Sequence, residues 1–242
     1  YIDGAGEIER YLLPNVTSKY SIPIGSSDIV NDIQVAPGAP HTIAVSLKNS
    51  GTIGPGAAVY DDATQRSNII APGSEFLGSL QWGASNSVLY GADTMGYSDS
   101  LWILGADSNG LTISNTINGA FFDGGGKLFY DSATDLIYAQ DGSVLDSSGN
   151  PVGRLPINGP TVLDVTNNKA FDVEDTSVHS RVYLAINSYD LSTMAKTGTV
   201  YIPYVGSPLK IIRYGSDGIA VIATGNNSGG NSIYLISGQF VN

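Results

Sequence analysis

Hydrolysis of a glycosidic bond needs two carboxylates, held at a separation that decides whether configuration at the sugar is inverted or retained. Four acidic residues lie in or beside apolar, strand-like runs that could display such a pair: Asp32, Glu75, Asp123 and Asp164. Asp32 and Asp164 alternate with apolar neighbours, in Val30-Asn31-Asp32-Ile33 and Val162-Leu163-Asp164-Val165, and are the pair a hydrolase would use. The same placement suits carboxylates that cap strand ends by accepting backbone hydrogen bonds, and this is the preferred reading. Glu, a frequent general acid, is scarce. No catalytic residue is therefore assigned, and Asp32 with Asp164 is kept as the alternative.

Other chemistry is thinner. His41 sits in a Pro-Gly-Ala-Pro-His turn and reads as a surface residue. His179 follows Asp172, Glu174 and Asp175, but one His with scattered acids lacks the convergent N and S ligands of a zinc site. No calcium loop motif occurs. Dispersed carboxylates, Asp61 with Asp62 or Asp172 with Asp175, are the weak calcium alternative to an expectation of no cofactor. Gly124-Gly125-Gly126-Lys127-Leu128 lacks the upstream Gly and the following Ser/Thr of a phosphate-binding loop, so Asp123-Gly124 reads as a turn. No Gly-x-Ser-x-Gly elbow is present; Ser98-Asp99 after Gly96-Tyr97 is not one.

With 11 Lys+Arg against 22 Asp+Glu, the net charge of −11 argues against nucleic acid and anionic membrane surfaces. Charged residues are 14% and hydrophobic ones 42%, too apolar for a disordered acidic chain. Zero Cys excludes disulfides and thiolate chemistry. No run approaches the length of a membrane helix, and no signal-like segment opens the chain. The chain starts at Tyr1, which reads as a mature or excised form.

The elements that would carry these residues are strands. Apolar residues recur with a period of two, as in Ile33 and Val35; Ile43, Val45 and Leu47; Leu209 and Ile211; Ile219 and Val221. A unit of strand, Gly/Asn/Asp/Ser turn and strand repeats, with anchors Val35, Trp82, Tyr130, Val165 and Tyr214 spaced 47, 48, 35 and 49 residues apart. Each unit continues into a second hairpin, for example Ala58–Asp62 to Ile69-Ile70, and ends in a Gly-containing link. Four strands per 40 to 50 residues is the pattern of a β-propeller blade. The chain is read as one all-β propeller domain over 1–242: a partial blade at 1–25, whole blades at 26–73, 74–119, 120–159 and 160–206, and a partial blade at 207–242. Joining the terminal segments would close a five-bladed ring. The alternative is the larger part of a six- or seven-bladed one, with flanking sequence missing.

In such a ring the strands bearing Ile33 and Val35, Leu80 and Trp82, Leu128 and Tyr130, Leu163 and Val165, and Ile211 and Arg213 should be innermost and shielded on both faces. Connections at 48–57, 91–100, 174–181 and 224–232 are rich in Gly, Ser, Asn and Asp and are expected to be irregular. A sugar-binding propeller would set an aromatic platform in each blade. Trp82 and Trp102 fall in one blade, and Tyr60, Tyr90, Tyr138 and Tyr183 fit strand interiors. Asn15-Val16-Thr17 and Asn226-Asn227-Ser228 match the glycosylation acceptor pattern, which arises readily by chance.

The run from Val30 to Leu47, with Ala57-Ala58-Val59-Tyr60-Asp61-Asp62 and Gln65-Arg66, resembles the seven-bladed propellers of large bacterial extracellular proteins, the YVTN-like and Ig-associated repeat proteins. So do Asp141–Asp146 with Val152-Gly153, and Leu209–Ala220. The resemblance implies a secreted or cell-surface scaffold and brings no catalytic motif. The expectation is a non-enzymatic module that binds protein or extracellular polymer for adhesion or assembly, with no membrane insertion. A carbohydrate-active propeller, hydrolase or lectin, is the alternative.

Overall fold

The computed structural model describes residues 7–12, 14–24, 28–49, 51–122, 124–178, 181–203, 206–224 and 230–241. The strands in chain order are β1 (Glu7–Leu12), β2 (Thr17–Pro23), β3 (Asp28–Ala36), β4 (Ala39–Asn49), β5 (Gly56–Asp61), β6 (Thr64–Gln65), β7 (Ser79–Trp82), β8 (Val88–Ala92), β9 (Leu101–Asp107) and β10 (Gly110–Ile117). They continue as β11 (Leu128–Asp131), β12 (Leu136–Ala139), β13 (Ser143–Asp146), β14 (Pro151–Arg154), β15 (Thr161–Asp164), β16 (Lys169–Val178), β17 (Arg181–Asp190), β18 (Lys196–Pro203), β19 (Pro208–Tyr214), β20 (Gly218–Thr224) and β21 (Asn231–Ser237). Among the described residues the helical content is one 3-10 turn, Val165–Asn167.

Consecutive strands pair antiparallel into five blades. Four have four strands, β3–β6, β7–β10, β11–β14 and β15–β18; the fifth, β19–β21, has three. β1 and β2 form a separate hairpin sheet. The chain divides into two compact units, Tyr1–Ala139 with Leu145–Pro151 and Gln140–Val144 with Val152–Asn242, and the division runs through the third blade.

In the first unit, alternate residues of one strand enter different cores. Ala44 of β4 and Val59 of β5 pack with Leu80, Trp82, Leu89, Trp102 and Leu104 of the second blade. Their neighbours Val45, Ala58 and Tyr60 face the other way and pack with Ile8, Ile22 and Ile24 of the N-terminal hairpin. A sheet buried on both faces explains why β5 reads Gly-Ala-Ala-Val-Tyr without polar alternation. A third cluster joins Tyr90, Ala92 and Leu101 of the second blade to Leu128, Ile137 and Leu145 of the third. In the second unit, Phe171, Val173, Leu184 and Ile186 of the fourth blade pack with Ile211, Ile219 and Val221 of the fifth and with Val241.

β3, β7 and β11 lie side by side, as do β15 and β19, so the first strand of each blade is the inner one. Leu80, Trp82 and Leu128 are buried as expected, but Val35 is 59% and Val165 44% exposed. Val35 comes at the end of β3, beside a register shift, and opens onto a groove. Val165 lies past the end of β15, because the Asp164 carboxylate accepts from Asn167 N–H and turns the chain into the 3-10 segment, which closes on Asn168 in the left-handed conformation.

Two further expectations are corrected. The fourth strand of the first blade is Thr64–Gln65, not Ile69-Ile70; Ile70 makes an isolated bridge to Ala57. Within the segment 174–181, the described residues 174–178 and 181 are strand, not irregular loop. β16 and β17 pair continuously from Lys169↔Asp190 to Val178↔Arg181. Beyond Val173 this hairpin carries Glu174, Asp175, Thr176 and Ser177, so it has no apolar alternation to betray it.

Candidate functional site

In the first unit, the N-terminal hairpin lies against the first blade and leaves a groove of about 280 Å³. Its floor is apolar: Ile8 of β1, Ile22 of β2, Ile33 and Val35 of β3, and Ile43 of β4. The floor follows from strand periodicity, since Ile8 and Ile22 are cross-strand partners and so share a face of the hairpin.

The rim is polar and internally paired. Asp62, in the left-handed conformation at the β5–β6 turn, receives His41 Nδ1 at 2.7 Å and Arg10 at 3.6 Å. Its backbone N–H donates to the His41 carbonyl at 2.7 Å, which fixes the turn against β4. The Arg10 guanidinium lies 5.7 Å from the centre of the Tyr20 ring. Tyr11 donates its hydroxyl hydrogen to Glu9. The Arg10, His41 and Asp62 side chains are 34%, 53% and 42% exposed, so these pairs are open to an incoming ligand. A half-open apolar cavity with a few convergent polar groups is the usual form of a recognition site.

Asp61 points elsewhere. Arg66 grips it in a two-pronged pair at 2.8 and 2.9 Å, Thr42 donates to it at 2.6 Å, and Arg66 also donates to the Asp107 carbonyl at 2.7 Å. The Arg66 hydrogen bond, foremost, holds the Asp61 carboxyl below its ordinary range. Asp61 and Asp62 therefore serve different partners and do not converge as calcium ligands.

Asp32 accepts from the backbone N–H of Leu80 at 2.9 Å, from its neighbour Ile33 N–H at 2.9 Å, and from the Gln34 amide. It lies in the first unit. Asp164, in the second unit, is 8% exposed and is bound by Arg213 at 2.8 Å and by the Asn167 amide at 2.9 Å. Glu75 receives the Trp102 indole N–H at 2.7 Å. Trp82 donates its indole N–H to the Gln34 carbonyl at 3.1 Å. Both Trp residues are buried, as are Tyr60, Tyr90 and Tyr138, while Tyr183 packs edge-on to Tyr201. Asp123, His179 and Asn226–Ser228 lie outside the described residues. Among the described residues no group of three or more His, Asp or Glu side chains converges on a metal position.

One polar network escaped the sequence reading. Asp172 and Glu174 share a face of β16, whereas Asp175 points to the other and is exposed. Asn187 donates its amide to both, at 2.8 and 3.0 Å, and the Asn158 backbone N–H reaches Asp172 at 2.7 Å. Thr199 donates to the side-chain amide oxygen of Asn187, Oδ1, at 2.9 Å. Asp172 is fully buried, and desolvation, with the nearby Glu174 charge, raises its pKa above the usual carboxylate range. Burial and then the Asp172 charge also push the Tyr189 phenol up. The i, i+2 spacing of Asp172 and Glu174 was the available signal, masked by the adjacent Asp175.

No family model matches the sequence, and no curated protein matches it. Solved structures do. Hydrazine synthase of Kuenenia stuttgartiensis is similar over 84% of this chain and 61% of its own, at 12% identity and a TM-score of 0.63. The β-propeller domain of Myceliophteria thermophila Cps50 (Swd1) is similar over 98% and 78%, at 15% identity and a TM-score of 0.56. The chain is a β-propeller. BBS1N, solved in complex with ARL6DN, is also similar, over 98% of this chain and 74% of its own, at 12% identity and a TM-score of 0.56. At these identities the likeness concerns the fold alone, and the propeller spans about three fifths of the hydrazine synthase chain it matches.

Proposed function

We propose that this propeller is a non-enzymatic binding module, secreted or displayed at the cell surface in the manner of the YVTN-like repeat proteins, and that it takes a protein ligand in the groove between the N-terminal hairpin and the first blade. The observation that carries this reading is the pairing of an open apolar floor, including the 59% exposed Val35, with the Arg10, His41 and Asp62 rim. An apolar side chain of the ligand fills the floor, and polar groups flanking it exchange partners with the rim. The solved complex of BBS1N with ARL6DN supports it at the level of the fold, as a propeller that engages a protein.

Against the carbohydrate-active reading, Asp32 and Asp164 each spend their oxygens on structural donors, and both Trp side chains are buried rather than offered as platforms. The test is selection of a phage-displayed peptide library on the immobilised protein, with Val35→Glu as the counter-target. Peptides with an apolar anchor, enriched on the parent and not on the variant, support the proposal. Enrichment that is equal on both, or glycoside turnover by the parent that Asp32→Asn and Asp164→Asn abolish, overturns it.

A further inference from the structure

The outer edge of β21 differs from those of the four complete blades. A strand edge exposes unpaired N–H and C=O groups, and folded proteins blunt it with brevity, charge, proline, bulges or a covering segment. β6 is two residues long. β10 changes register between Ile113 and Asn115, and its start is covered where Leu111 N–H donates to the Asn68 carbonyl at 2.9 Å. β14 runs from Pro151 to Arg154, and β18 from Lys196 to Pro203. Among the described residues β21 has none of these devices. Its seven residues, Asn-Ser-Ile-Tyr-Leu-Ile-Ser, carry no charge and no proline, and pair with β20 in unbroken register.

Among the described residues no strand follows β21 in its sheet, although a fourth strand fills that place in every other blade. Tyr234 and Ile236 face the core of the second unit. Ile233 and Leu235 face the other way, 66% and 67% exposed; across the sheet Leu235 is followed by Ala220 and Ile212, and Ile233 by Ile222 and then Lys210.

We propose that β21 is the seam through which two copies of this chain associate. The strand pairs antiparallel with the same strand of a second copy about a two-fold axis at Tyr234. This register sets Ile233 of each copy opposite Leu235 of the other on the exposed face, so the strand is its own complement, as a two-fold interface requires. The two three-stranded sheets become one of six strands. Charge permits this seam: each copy carries −11, and 231–237 contains no acidic residue, so two copies pair there without setting carboxylates against one another.

Sedimentation velocity at concentrations up to about 100 µM tests this. The parent forms a concentration-dependent dimer. Leu235→Lys and Ile233→Glu are each monomeric, with unchanged circular dichroism because both side chains are exposed. Mixing the two variants restores a dimer holding one copy of each, since the introduced carboxylate then faces the introduced ammonium. A parent that stays monomeric, or variants that dimerise as well as the parent, overturns the proposal.

Discussion

The carboxylate of Asp32 holds the backbone N–H of Leu80 at 2.9 Å, 48 residues along the chain. Asp32 sits on the inner strand of the first blade and Leu80 on that of the second, so a side chain does between blades what ladder hydrogen bonds do within one. Ser79 repeats the device: its hydroxyl oxygen accepts from Leu128 N–H, on the inner strand of the third blade, at 3.1 Å. Asp32→Ala leaves Leu80 N–H without its acceptor and is expected to destabilise the protein by about 1–3 kcal/mol, with Asp32→Asn milder. Urea unfolding checks this; equal midpoints for Asp32→Ala and the parent would refute the stitching role.

The Asp164–Arg213 pair plays a related part between the fourth and fifth blades. Its side chains are 8% and 15% exposed, and Arg213 also donates to the Gly218 and Ser216 carbonyls at 3.0 and 2.7 Å. Removing one partner of a buried pair strands the other charge. Arg213→Leu should lower stability by about 3–5 kcal/mol, and much less when combined with Asp164→Leu. A double-mutant cycle measures the coupling; additive losses would contradict it.

Asp172 predicts a signed pH dependence. Its folded-state pKa is raised, so the folded protein binds this proton more tightly than the unfolded chain does. Its contribution is fully present below the unfolded value of 3.8 and is lost as pH rises through the raised one. Asp61, Asp135, Asp146 and Asp190 are lowered and act oppositely, contributing above 3.8 and losing their effect as pH falls. The Asp172 part is therefore read as a difference. From pH 4 upward the parent should lose stability relative to Asp172→Asn, in denaturant titrations at matched pH. A constant difference would show that Asp172 does not titrate abnormally.

The N-terminal hairpin belongs to the core of the first unit. Ile8, Ile22 and Ile24 are 4%, 4% and 6% exposed against Val45, Leu47 and Tyr60. Ile22→Ala should cost about 2–5 kcal/mol. Deleting residues 1–25 should lower the thermal midpoint of the whole unit rather than trim a tail. An unchanged midpoint in both variants would show that the hairpin is not part of the fold.

Much of this architecture was legible in the residues. Period-two runs and the spacing of Trp82 and Tyr130 located β7 and β11, where Leu80, Trp82 and Leu128 are buried. What failed has local causes. Val165 continues the apolar alternation of Leu163 and serves as a repeat anchor, but Asp164 ends the strand one residue earlier. The polar end of β16 carries no pattern because its backbone pairing with β17, not side-chain burial, defines it. At the groove, Arg10 and Asp62 stand 52 residues apart, and no sequence period links a hairpin to a turn that only packing brings together.

The most direct test of the binding proposal is calorimetric titration of a parent-selected peptide into three proteins: the parent, Val35→Glu, and Val152→Glu, whose site on β14 is 51% exposed and outside the groove. The account predicts affinity weakened at least about tenfold by Val35→Glu, which is 1.4 kcal/mol or more, and unchanged by Val152→Glu. Equal affinity for the parent and Val35→Glu would place the ligand elsewhere and contradict the account.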